Sequence, residues 1–266
     1  AGHHGLESAT VVPMVPPKGA VLPVLTLFLP PAGPRLNRGS NDLAPWAPQL
    51  LLKKIIRIII MYNPDPNAMA MTLEFSLIDD LPGVTPSRQK RSRETTAALL
   101  RAGEMMLRKH SLDELSIEAL CAEVGATVGA FYSRFESKEV YFNALLELAA
   151  RDSEVNLSHM QDASLGQASL DKLCTMMGSE IAQWMRNHEG VVRAALQHND
   201  THPVRWTRFK ELGRETVVRA TPLFLKAMGK GRRAAKVRTI GFGFQVVFGT
   251  LINAVLNDPG PLSIAD

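Results

Sequence analysis

Prolines divide this chain into two unequal parts. Residues 1–87 hold 13 of the 17 prolines in the 266-residue sequence. A proline inside a helix removes a donor and clashes with the preceding turn, so PMVPPKGAVLPVLTLFLPPAGPR cannot be one continuous helix. The apolar piece at 21–29 is interrupted by Pro23, and LLLKKIIRIIIM at 50–61 carries three charges. Neither approaches the roughly 20 apolar residues of a membrane-spanning helix. A basic interfacial helix is the second reading of 50–61; the first is an irregular leader. The sequence opens on Ala1, and its composition becomes ordinary only after Met69 and Met71. Residues 1–70 are therefore expected to lie outside the working protein. With no secretory signal pattern, the expected location is cytoplasmic and no membrane partner is expected.

From residue 94 onward the pattern is helical and lacks the alternation of a sheet. Thr95–Lys109 places Ala98, Ala102, Met105 and Met106 near one face, a spacing suited to burial. HSLDEL breaks that run, and Ser116 is a suitable N-cap for a helix over 116–124. Gly125 follows, where a tight helix-to-helix turn calls for positive φ. Thr127 caps a helix over 127–134, and Ser137 caps one running from 138 into the 150s. Further helices are expected at 169–187, 189–199, from Pro203 to about 228, and at 233–257. Pro222 should kink or divide the third of these, and Pro259 should stop the last. The fold class expected is all-α. Its divisions are a leader at 1–87, a unit of short helices at 88–142, a unit of longer helices at 143–258, and a tail at 259–266.

Two short helices joined through a glycine-containing turn match a helix-turn-helix, whose second helix enters the major groove. Three features point the same way. The second helix begins with the small or polar residues Thr127, Val128, Gly129 and Ala130, which leave room near base edges; a valine or alanine methyl can meet a thymine methyl. Tyr132 offers a phenolic donor to a phosphate, and Lys138 stands at a helix start where amides, dipole and ammonium converge on an anion. RQKRSR, with Arg88, Lys90, Arg91 and Arg93, supplies a basic arm ahead of the first helix.

The stretch from Thr95 to Phe142 also resembles the TetR/AcrR-type family of transcriptional regulators. The resemblance lies in A-x-x-x-x-x-x-x-x-L from Ala98 and S-I-x-x-L-C-x-x-V-G-A-T-x-G-A-F-Y-x-R-F-x-S-K-E from Ser116, followed by a long helix. It implies a homodimer that binds double-stranded DNA at a short palindromic operator, usually as a repressor, through a divergent ligand-responsive C-terminal unit. Carried onto this sequence, it turns Thr127, Gly129 and Tyr132 toward DNA and sets Ser116 and Lys138 near phosphates. Phe131 and Phe135 become core. Cys121 and Phe131 depart from the commoner Ala and Leu, and Arg134 is either a phosphate contact or a solvated side chain.

Other features are weaker. Met177, Ile181, Trp184, Trp206 and Phe209 can line an apolar effector cavity or form ordinary core; if buried, both tryptophan ring N–H groups need partners. The effector is unidentified, with an apolar or aromatic compound as the guess. Gly241, Gly243 and Gly249 permit close helix approach in an unusually apolar last helix, which the resemblance assigns to a dimer interface with the 204–225 region. The basic run 226–238 reads as a solvated loop and helix start. Cys121 and Cys174 are widely spaced and read as buried hydrophobes. His188, His198 and His202 make a poor metal site. No phosphate loop, hydrolase elbow or nucleophile–base pair appears, so neither an enzyme nor a cofactor is expected. Two alternatives to an effector-released repressor remain: a DNA-binding dimer without an effector, and a helical interaction protein that no longer binds DNA.

Overall fold

In a computed structural model of the chain, residue 78 and residues 80–87, 89–159, 163–197 and 203–257 are described. The expectations for the leader up to residue 77, for Arg88, His198 and His202, and for the tail from 258 fall outside these residues. The described elements are α1 (Lys90–Leu107), α2 (Ile117–Glu123), α3 (Val128–Tyr132), α4 (Lys138–His159), a 3-10 turn (Ala163–Gln167), α5 (Leu170–Asn187), α6 (Glu189–Gln197), α7 (Pro203–Ala227) and α8 (Arg233–Leu256). Among the described residues, extended pairing is limited to an isolated bridge between Val84 and Phe135. The fold is all-α.

The first helix starts earlier than its hydrophobic period suggests. Lys90, Arg91 and Arg93 belong to α1 rather than to an irregular arm. Lys and Arg are good helix formers, Lys90 reaches Glu94 one turn on at 3.9 Å, and the Thr95 and Thr96 hydroxyls donate back to the Arg91 and Ser92 carbonyls. The buried face is also rotated. Leu99, Leu100, Ala102, Gly103 and Leu107 are buried, whereas Met105 is 64% exposed. The rotation follows from α1 being packed on several sides, by α2, α4 and α6.

The corner between α2 and α3 follows its local chemistry. Ser116 Oγ accepts from the Ala119 amide, Thr127 Oγ1 accepts from the Ala130 amide, and Gly125 takes φ +64°. Each cap satisfies an amide with no partner inside its own helix. Phe131 and Phe135 are wholly buried and meet Tyr141 of α4 at ring distances of 5.2 and 4.9 Å. Tyr141 donates to the Leu99 carbonyl at 2.7 Å, and its ring fills the space where a side chain at Gly103 would stand. Burial pushes the Tyr141 phenol well above its ordinary pKa. The corner is thereby locked to α1 and α4.

One apolar core runs from this corner through α1, α4 and α6 into parts of α5, α7 and α8. A second cluster, including Leu157, Leu173, Met177, Phe224 and Phe244, occupies another part of the bundle. The expected division at 142/143 falls inside α4, which continues unbroken from Lys138 to His159. The helix from Pro203 likewise continues through Pro222 instead of dividing there. Pro222 is exposed, and Val218, whose carbonyl loses its usual donor four residues on, is 70% exposed. An accessible carbonyl can be hydrated, which lowers the cost of the proline. By length and composition α8 could cross a membrane, yet half of its most apolar window is buried in the bundle, and it packs on α5, α6 and α7. It is a core helix of this fold.

Candidate functional site

The exposed face of α3 is small and then aromatic. Thr127 and Gly129 are exposed, Tyr132 is 52% exposed, and an added side-chain carbon at Gly129 would come no nearer than 3.9 Å to any group outside the helix backbone. The Tyr132 ring stands edge-on to Phe131 at 5.3 Å, so a buried neighbour orients an exposed phenol. Val128 differs from its neighbours: it is half-buried and packs on the core, so its methyls are committed inward. Thr127 uses its oxygen as a cap acceptor and retains its hydroxyl proton for donation. Ser116 is more fully engaged, because its hydroxyl also donates to Glu118 at 2.8 Å.

Among the cations, Lys90 and Arg91 are exposed, while Arg93 is half-buried and engaged within the chain. Lys138 opens α4, and its ammonium donates to the Asp113 carbonyl at 3.1 Å. Arg134 is structural. It donates to the Ala130 carbonyl at 2.5 Å and to Ser92 Oγ at 3.0 Å, tying the end of α3 to α1.

A second candidate site lies inside the bundle. Met177, Ile181, Trp184, Trp206 and Phe209 all line one cavity, together with residues including Met185, Leu212, Thr216 and Ile252. The cavity volume is about 70 Å³. Met185 continues the helical stripe of Met177 and Ile181. Gly213 and Thr216 do the same for Trp206 and Phe209, so the additional lining residues carried a signal at helical spacing. The ring contacts are Trp184–Phe209 at 5.6 Å and Trp206–Phe209 at 5.5 Å.

Sequence reasoning missed a buried ion cluster. His188 is 1% exposed and stands between Glu104 of α1, at 2.9 Å from Nδ1, and Asp152 of α4, at 3.1 Å from Nε2. Burial alone would push its imidazole pKa down. Hydrogen bonds and charge from Asp152 and Glu104 outweigh that effect and raise it to about 9. At neutral pH it is an imidazolium bridging two carboxylates. Trp184, which lines the cavity, stands 5.2 Å from the same ring. The three ionic residues are 84 and 36 positions apart, with no local motif to connect them. Nearby, Arg108 donates to the carbonyls of Arg186 and Asn187, and Arg193 donates to those of Arg108 and Val255. These guanidinium groups serve carbonyls at the C-terminal ends of α1, α5 and α8, where orphan acceptors and the negative dipole end both favour a cation.

Cys121 and Cys174 are buried free thiols, and burial pushes the Cys121 thiol up, away from reactivity. Among the described residues no His, Cys, Asp and Glu cluster could hold a metal ion. The basic run after α7 includes Lys236, which donates back to the Gly229 carbonyl at 2.5 Å.

The geometry defines an all-α protein in which a small capped corner shares one core with a cavity-bearing helical bundle. Residues 99–145 match the family described as bacterial regulatory proteins, tetR family, so the segment from α1 into α4 that holds the α2–α3 corner is a domain match to that family. A solved structure from Mesorhizobium loti, described as a TetR-family transcriptional regulator, is similar at 14% identity and a TM-score of 0.44, covering 61% of this chain and 98% of its own. That likeness is too distant to bear on function. No curated protein matches the sequence.

Proposed function

We propose that the protein is a transcriptional repressor that binds a palindromic operator as a homodimer, in the cytoplasm, and is released by a small molecule held in the α4–α8 cavity. The observation that carries this reading is the face of α3 within the matched family segment. Thr127, Gly129 and Tyr132 are exposed together there, while Phe131 and Phe135 anchor the helix from behind. Exposed Lys90 and Arg91 supply cationic side chains for phosphates, with Lys138 at the start of α4. Such contacts set affinity and position, whereas the small groups on α3 read base edges. Ser116 acts mainly as a cap, which stiffens the corner.

The dimer is proposed to form through α7 and α8. Val218 on α7 is 70% exposed and Phe242 on α8 is 57% exposed, unusual placements for large apolar groups in a protein with an otherwise well-formed core. Side chains built at Gly241 and Gly249 would meet nothing within 4 Å, so these glycines make no close approach within the protomer and leave room for a second copy. A ligand in the cavity that favours one separation of the two heads would change operator affinity by differential binding to two states.

Selection of bound sequences from random double-stranded DNA by the purified full chain tests the reading. A palindromic site should emerge, its affinity falling steeply with salt and lost on Tyr132→Ala. Failure of a folded, dimeric protein to select any site overturns it.

A further inference from the structure

We propose that residues 80–85 form a strap that positions the exposed cations Lys90 and Arg91 for contact with DNA phosphates, upstream of the matched segment 99–145. The proposal rests on the DNA-binding reading of α3 and adds a device that the α2–α3 corner does not contain.

The strap falls in the stretch that proline content assigns to an irregular leader, yet it is built into the fold. Ile78 and Leu81 are 5% and 3% exposed and sit in the main core. The Leu81 amide donates to the Ile78 carbonyl at 3.3 Å, and the Val84 amide donates to the Leu81 carbonyl at 3.1 Å. Gly83 takes φ +76°, and a side-chain carbon there would lie 2.5 Å from Val140 Cγ1 of α4. Both the turn and the close approach therefore call for glycine. Farther along α4, Arg151 donates to the Asp80 carbonyl at 2.8 Å. The strap is thus held at two points about three helical turns apart on α4.

Its other end meets the residues that follow α3. Val84 pairs with Phe135 in the isolated bridge, and the Thr85 amide donates to the Arg134 carbonyl at 3.0 Å. Arg134 is a shared point. Its carbonyl holds the strap, while its guanidinium donates to Ser92 Oγ in the first turn of α1 and to the Ala130 carbonyl of α3. Ser87 Oγ accepts from the Gln89 amide at 3.3 Å where the chain turns into α1. Lys90 and Arg91 lie between Thr85 and Ser92, and both are exposed.

The consequence is pre-organisation. Helix ends fray, and a phosphate contact made from a frayed end must first order it. Here the segment carrying the two cations is fastened on both sides to one residue at the end of α3. Lys90 and Arg91 are therefore set at a fixed offset from Thr127, Gly129 and Tyr132. Phosphate contacts fix register while base contacts specify, so ordering the cations in advance raises affinity in the register that α3 reads.

The test is a double-mutant cycle in the full chain on the operator selected by the parent, at a temperature where melting curves show every variant folded. Thr85→Pro removes the amide donor, and Val84 already has the extended backbone that a following proline requires. Thr85→Ala keeps the amide and serves as the control. Thr85→Pro should weaken operator binding about fivefold, with Thr85→Ala equal to the parent. In a Lys90→Ala, Arg91→Ala background the same proline should change affinity by less than about twofold, because the groups it acts through are gone. Gly83→Ala, which drives a carbon against Val140, should reproduce the pattern from the α4 side. Without DNA, deuterium exchange in Thr85→Pro should quicken at residues 92–96 and stay unchanged at 99–107. Equal weakening with and without the two cations, no weakening at all, or unchanged exchange at 92–96 overturns the proposal. A parent chain that selects no operator sinks the regulator reading and the strap's target with it. A selected operator with additive variants sinks the strap alone.

Discussion

His188 Nδ1 stands 2.9 Å from a carboxylate oxygen of Glu104, and this contact fastens the end of α5 to α1. Asp152 holds the other ring nitrogen from α4. The imidazolium is thus a three-helix joint with one end of the cavity beside it. Its folded pKa of about 9 lies above the ordinary value of 6.5. The stabilisation is consequently complete below about 6.5 and is lost as pH rises through about 9. Its size is on the order of 3 kcal/mol. Urea denaturation at pH 6 to 10 should show that decline in the unaltered chain and a flatter profile in His188→Gln. Parallel profiles would remove His188 as its source.

Gly190 sets a competition between helix propensity and packing. In an exposed helix, alanine would be favoured over glycine by about 1 kcal/mol. At Gly190, however, a side-chain carbon would lie 2.4 Å from the Leu107 carbonyl carbon and 2.6 Å from the Arg108 amide nitrogen. Backbone cannot swing aside as a flexible side chain can, so packing wins. Gly190→Ala should destabilise the protein by about 1–3 kcal/mol and loosen the α1–α6 contact. A mutant as stable as the parent in thermal denaturation would show that α6 is not seated on α1 in this way.

Tyr132 and Arg134 should separate function from folding, although they are two residues apart. Tyr132 is half-exposed, so Tyr132→Ala should change stability by less than about 1 kcal/mol while abolishing selective DNA binding. Arg134→Ala removes the ties to Ser92 and Ala130 and should cost about 1–2 kcal/mol. Paired melting curves and DNA titrations check both. A large stability loss in Tyr132→Ala would make its DNA phenotype uninterpretable as a contact.

These contrasts mark what was legible in the chain. The α2–α3 corner could be read because its determinants are local: Ser116 and Thr127 cap within three residues, and Gly125 supplies the positive φ. The cavity stripe was legible at helical spacing, but the fate of its two indole N–H groups was not, because it depends on where distant carbonyls fall: Trp184 Nε1 donates to the Ala149 carbonyl, while Trp206 Nε1 is buried without a partner. The Glu104–His188–Asp152 joint left no trace in spacing, and His188 was grouped with His198 and His202 simply for lying near them in sequence. The earlier start of α1, and the continuation of α7 through Pro222 rather than division there, escape the sequence for a related reason. Local rules locate basic runs and prolines but do not report whether tertiary packing carries a helix through them.

Val218 and Phe242 provide the sharpest test of assembly. Both are more than half exposed in the protomer, so a charge at either position should leave the core intact. At a dimer interface the same charge would be desolvated without a partner, a cost that falls on association alone. Val218→Glu with Phe242→Glu should give a helical, cooperatively melting protein that sediments as a monomer where the parent sediments as a dimer. DNA affinity should then fall, because two half-sites are no longer engaged by one particle. If the double variant sediments as a dimer and retains its DNA affinity, the two-fold contact lies elsewhere, and the exposed Phe242 and the open space beside Gly241 and Gly249 must serve another purpose.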